Sequence, residues 1–107
     1  MAAMTRTRTN RKTGIPNDLM AEYYSQRAGS GLIMTESSAW SERGIGFPGA
    51  GDIYNMDQAI GWQKVTDAVH KKSGIIFVQL FHAGRATDPE LNRGHAHWGP
   101  SALAVRG

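Results

Sequence analysis

The stretch from Gly74 to Arg85, GIIFVQLFHAGR, limits the possible folds more than any other part of the chain. From Ile75 to Phe81 it is apolar except at Gln79, rich in Ile, Val and Phe, and entered through a glycine. Such a run predicts a strand buried on both faces, as in a parallel sheet covered by helices. In parallel α/β proteins the C-terminal ends of the strands floor the functional site, so a polar Gln79 near that end is informative. Phe81, His82, Gly84 and Arg85 follow it. Taken alone, these residues equally describe a strand running out into a polar loop.

The preceding chain supports the parallel sheet. Met1 to Thr5 reads as the tail end of a first strand, clipped at its start, before a segment rich in Thr, Arg and Asn. Pro16-Asn17-Asp18 gives a helix start, with Asn17 or Asp18 as N-cap, and Leu19, Met20, Tyr23 and Tyr24 share one helical face. Gly29-Ser30-Gly31 ends that helix, and Leu32-Ile33-Met34-Thr35 forms a second buried strand running into Glu36, Ser37 and Ser38. Trp40 to Tyr54 is glycine-rich with Pro48 inside it, which predicts a long loop at that strand's C-terminal end. A second helix spans about Asn55 to Lys72, capped by Asn55 or Asp57, with Ile60, Lys64, Val65, Ala68 and Val69 on one face. Ser73-Gly74 then releases the third strand. No clear element follows Arg85.

Strands alternating with helices, and no hairpin signal between strands, predict an α/β fold built from right-handed βαβ units. A closed (β/α)8 TIM barrel needs about 250 residues. A chain of 107 residues would supply about the first three βα units of one. Residues 1–107 would then be one incomplete barrel domain. A small doubly wound domain is the rival, but no glycine fingerprint follows Thr5.

Composition removes several function classes. Hydrophobic residues make up 40% and charged residues 20% of the chain, a globular balance. The net charge of +3 gathers near Arg6, Arg8, Arg11 and Lys12. No aromatic residues are interleaved with these cations and no nucleic-acid-binding motif follows, which argues against nucleic acid. The absence of cysteine excludes disulfides, a thiol nucleophile and Cys-ligated metals. His95 and His97 alternate without a carboxylate at ligand spacing, so we expect no metal site. No apolar run has the length of a membrane span, and a cytoplasmic protein is expected. Trp40, Trp62 and Trp98 read as packing residues, and His82 as the holder of a structural hydrogen bond.

The ordered motifs resemble a known family. They are Ala3-Met4-Thr5-Arg6, Ile15-Pro16-Asn17, the run from Ala21 to Ala28 (AEYYSQRA), Gly31 to Glu36 (GLIMTE), Gly46-Phe47-Pro48-Gly49, Trp62 with Lys64 to His70 (KVTDAVH), Val78 to Arg85 (VQLFHAGR) and Pro100-Ser101-Ala102-Leu103. In order and spacing this series is similar to the Old Yellow Enzyme flavoproteins, FMN-dependent ene reductases on a (β/α)8 barrel. The likeness covers almost the whole chain.

The resemblance implies that Ala3, Met4 and Thr5 lie under the flavin, with the Thr5 hydroxyl at the redox-active edge of the ring. A donor there favours the reduced flavin, on which negative charge develops. It implies that Ser37 approaches the flavin where Gly or Ala is common, and that Gln79 offers its amide to the pyrimidine part. Phe47 and Phe81 would wall the substrate cavity, in place of the usual Tyr and Trp, which suggests a roomier and less polar pocket. Ala3 departs from the commoner Pro.

The implied activity reduces the C=C bond of an α,β-unsaturated carbonyl compound, with NAD(P)H as reductant and FMN carrying the hydride. The groups that hold the enone oxygen, the Tyr that donates a proton and the arginine that binds the FMN phosphate would all lie beyond Gly107. No catalytic residue is therefore expected in this chain. Two expectations follow from different classes. The chain is the N-terminal piece of an ene reductase, whose partner is the missing barrel portion, or it is a non-catalytic remnant that associates through its open sheet edge.

Overall fold

In a computed structural model, residues 1–106 are described. Four regular elements appear: helix α1 over Asp18–Ser25, strand β1 over Ile33–Ala39, helix α2 over Met56–His70 and strand β2 over Ile76–Phe81. Short 3-10 turns occupy Ala28–Ser30, Glu42–Gly44 and Gly84–Ala86. The two strands pair in parallel, so α2 is the crossover of a βαβ unit.

Both helices start on an asparagine cap. Asn17 accepts from the Met20 amide, and Asn55 accepts from the Gln58 amide while the Gln58 side chain reaches back to Asn55 in a capping box. Met20, Tyr24 and Ala28 pack with Trp62, Val65 and Val69 of α2 and with Ile33 of β1 in one buried cluster. Gly74 lets β2 start against this cluster, because a Cβ there would come within 2.7 Å of Val69 Cγ1 and 2.9 Å of the Ala28 Cβ.

Three expectations are corrected. β2 is not buried on both faces: Phe77 is 58% and Leu80 61% exposed, and Ile75 and Val78 are also open. Its apolar residues do fit a covered strand, but only β1 lies beside it, and no layer covers its outer surface among the described residues. Met1 to Thr5 is not a strand. It runs alongside β1, with the Met1 amino group donating to the Leu32 carbonyl and the Met34 amide donating to the Met1 carbonyl. Helix facing also differs, for Leu19 and Ile60 are exposed while Met20 and Tyr24 are buried, a rotation of the expected α1 face by about one residue. Trp62 packs in the core, whereas Trp40 and Trp98 are about half exposed and flank the His82 ring, Trp98 in parallel at 5.8 Å and Trp40 tilted at 5.1 Å. Among the described residues, no helix is long and apolar enough to cross a membrane.

Candidate functional site

The C-terminal halves of the two strands carry the polar residues singled out above. Ser37 and Gln79 are register partners across the parallel pair, which places both side chains on the same stretch of sheet. Ser37 Oγ donates to Gln79 Oε1 at 3.0 Å. The Ser37 amide donates to Thr5 Oγ1 at 3.4 Å. Thr5, Ser37 and Gln79 therefore form one connected group, although they are 32 and 42 residues apart in sequence.

A local irregularity aims Gln79. The strand register shifts between Met34 and Ser37, and there the Thr35 hydroxyl accepts the Gln79 amide hydrogen at 3.0 Å. A side chain thus replaces a ladder bond, and buried Thr35 fixes the backbone from which the Gln79 amide projects. Ala3 lies half-buried beside this group in sequence and Met4 is 46% exposed.

The donors of this group suit a flavin ring. Gln79 receives the Ser37 hydroxyl on its oxygen, and its NH2 has no protein acceptor among the described residues; the Thr5 hydroxyl accepts from Ser37 and keeps its own proton for another acceptor. Both are half-buried. A heteroaromatic ring edged with carbonyl and nitrogen acceptors would engage the Gln79 NH2 and the Thr5 O–H together. Gln79, Thr5 and Ser37 are the residues that would hold such a ring.

Phe47, from the long loop, and Phe81, at the end of β2, meet with ring centroids 5.6 Å apart and planes tilted by 37°. Gly46 permits this approach, because a Cβ there would stand 2.9 Å from Phe81 Cε1. Phe47 keeps 42% of its surface open. His82 is occupied structurally, accepting the Gly84 amide on Nδ1 at 2.9 Å and so closing the turn after β2.

Two buried carboxyls were not singled out in the sequence as more than strand-end or loop residues. Glu36 is 1% exposed and Asp52 6%. Burial pushes the Glu36 carboxyl up, opposed by the Gly51 amide that donates to it and by the nearby backbone amides of Arg6 and Thr7. Burial likewise pushes Asp52 up, from 3.8 to about 7, opposed by the Ala39 amide and the charge of Arg93. The Tyr24 hydroxyl, buried against Glu36, is also raised. A lone acidic residue at a strand end or in a loop carries no burial signal in sequence, which is why these two were not visible beforehand.

Comparison with known proteins identifies the family. The model of the NADH:flavin oxidoreductase / NADH oxidase family matches residues 1–106. Flavin oxidoreductase hxnT of Emericella nidulans is 42% identical over 110 residues, covering 99% of this chain and 28% of that protein. A probable flavin mononucleotide-dependent alkene reductase of Leishmania infantum is 42% identical over 108 residues, covering 100% of this chain and 29% of that protein. The old yellow enzyme homologue of Zymomonas mobilis superposes with a TM-score of 0.93 at 41% identity, over 100% of this chain and 30% of the other.

The chain belongs to the NADH:flavin oxidoreductase / NADH oxidase family, whose cofactor is FMN. It spans a little under a third of the length of the curated relatives it matches. Its α/β fold is part of the (β/α)8 barrel of its structural neighbours.

Proposed function

We propose that this chain supplies the flavin-ring platform and part of the substrate wall of an FMN-dependent ene reductase, which reduces the C=C bond of α,β-unsaturated carbonyl compounds with NAD(P)H. The observation that carries this reading is the bonded group of Thr5, on the segment alongside β1, with Ser37 and Gln79, on the paired strands, which leaves two unspent donors. Relatives described as a flavin mononucleotide-dependent alkene reductase and a 12-oxophytodienoate reductase support the reaction class. A solved relative, morphinone reductase in complex with tetrahydroNAD, supports a nicotinamide reductant. A cytoplasmic location belongs to this reading.

Bound FMN would supply a ring that takes up and gives back hydride. The chain's own residues orient it: Gln79 holds the pyrimidine edge, Thr5 donates toward the redox-active edge, and Ser37 locks both in place. Phe47 and Phe81 shape an apolar wall for the enone. The enone-oxygen, proton-donor and phosphate-binding groups belong, on this reading, to the remaining barrel portion.

A chimera of residues 1–107 with the remaining barrel of the Zymomonas mobilis homologue tests the proposal. It is expected to purify yellow and to reduce cyclohexenone with NADPH or NADH. A folded chimera that holds FMN but leaves the alkene untouched would contradict the reaction class. The exposed apolar strand β2 favours a second reading, a non-catalytic chain that associates through that strand. A chimera that folds yet excludes FMN would support it.

A further inference from the structure

We infer that Thr9 is a positioning residue, whose buried hydroxyl and amide clamp the turn that carries Phe47 and so hold that ring in the substrate wall. The role given to Phe47 rests on the function proposed above. Pro48 and Gly49 occupy the centre of a turn closed by the Ala50 amide, which donates to the Phe47 carbonyl at 3.2 Å. Gly49 has φ 82°, the left-handed value that the third residue of a type II turn needs, and Pro48 before it has its φ fixed by its ring. Thr9 grips the far half of this turn twice. Its amide donates to the Gly49 carbonyl at 3.0 Å, and its hydroxyl donates to the Ala50 carbonyl at 3.0 Å. Thr9 is 8% and Ala50 3% exposed, so water does not readily replace either bond.

Helix α1 in turn fixes the clamp. The Arg8 carbonyl accepts from Asn17 Nδ2 at 2.8 Å, while Asn17 Oδ1 accepts the Met20 amide at 3.1 Å and caps the helix. Asn17 thus sets the backbone next to Thr9, and Thr9 passes that position to the turn. At the start of the turn the Phe47 ring meets Phe81 with centroids 5.6 Å apart, yet 42% of Phe47 remains exposed. A side chain so open has few packing contacts of its own, and its place depends on the backbone that bears it. The later part of the loop is held separately, with the Asp52 amide donating to the Gly14 carbonyl at 2.9 Å. Loss of the Thr9 hydroxyl therefore frees the turn without detaching the loop.

Backbone amide exchange in the 107-residue chain tests the clamp without flavin. Thr9→Val removes the hydroxyl at nearly constant shape and leaves the buried Ala50 carbonyl without that donor. It is expected to lower the protection of the residue-9 and Ala50 amides about tenfold, the scale of one lost buried hydrogen bond, while Val65 and Val69 keep theirs. Thr9→Ser, which keeps the hydroxyl, is expected to restore most of the loss. Unchanged protection at Ala50, or an equal loss at Val65 and Val69, would overturn the inference.

In the chimera, Thr9→Val is expected to raise the KM for cyclohexenone by about threefold to tenfold. The flavin midpoint potential is expected to stay where it was, because the Thr9 bonds run to the Phe47 turn and not to Thr5, Ser37 or Gln79. In a Phe47→Ala background the same substitution is expected to add nothing to the KM. An unchanged KM, an additive rise in the double variant or a shifted potential would show that Thr9 does not act through Phe47 and would also overturn the inference. A chimera that leaves cyclohexenone untouched would refute the functional reading instead, while the exchange result still decides the clamp.

Discussion

Replacing Asp52 by Asn should change how the stability of this chain depends on pH. Asp52 is 6% exposed, its Oδ1 has no hydrogen-bond partner, and its carboxyl is raised from 3.8 to about 7 by burial. A carboxyl raised on folding binds its proton more tightly in the folded state. Its contribution is therefore fully present below pH 3.8 and is lost as pH rises toward 7. The full span corresponds to about 4 kcal/mol, a ceiling that structural relaxation around the ionised group reduces. Trp62 is a built-in reporter, since its buried indole donates to the Asp52 carbonyl at 3.1 Å. Urea unfolding followed by tryptophan fluorescence, on dilute chain at a series of pH values, should give falling stability from about pH 4 to pH 7. Asp52→Asn, neutral throughout, should flatten most of that slope and be the more stable protein above pH 7, with the remainder coming from Glu36, which is shifted the same way. Stability that rises with pH over this interval, or an unaltered slope in Asp52→Asn, would refute the argument.

Other predictions concern the cofactor surface. In the chimera, Gln79→Ala should weaken FMN binding by roughly tenfold to a hundredfold, the effect of leaving one buried polar group of the ring unpaired; an unchanged dissociation constant would remove Gln79 from the site. Thr5→Ala should leave FMN bound but make it harder to reduce, and a midpoint potential that moves to more positive values or stays fixed would contradict the role of Thr5. The 107-residue chain alone should be colourless after desalting and should associate at high concentration through β2, where Phe77 and Leu80 are exposed. Leu80→Lys should reduce that association in sedimentation experiments, and equal association of both proteins would place the contact elsewhere.

The elements that sequence reasoning located well are those with local signals. Asn17 and Asn55 cap where helix-start rules put them, and Ser73-Gly74 releases β2 beside the core. Burial of β2 was misjudged for a physical reason. An apolar run reports what a strand is suited to pack against, and the partners for Phe77, Val78 and Leu80 are not among the described residues. The Thr5, Ser37 and Gln79 group was legible only through the ordered motifs, because the bonds that join it span 32 and 42 residues. Glu36 and Asp52 were missed because the burial of a carboxyl depends on which distant segments pack over it, and that is a property of the fold.

The central claim, that Thr5 and Gln79 present their side chains to two different parts of an FMN ring, is tested most directly by nitrogen NMR of the chimera loaded with 15N-labelled FMN. One FMN per barrel is expected, with Gln79→Ala moving the pyrimidine-nitrogen resonances and Thr5→Ala moving the N5 resonance, each leaving the other largely in place. Flavin resonances that neither substitution moves would contradict it.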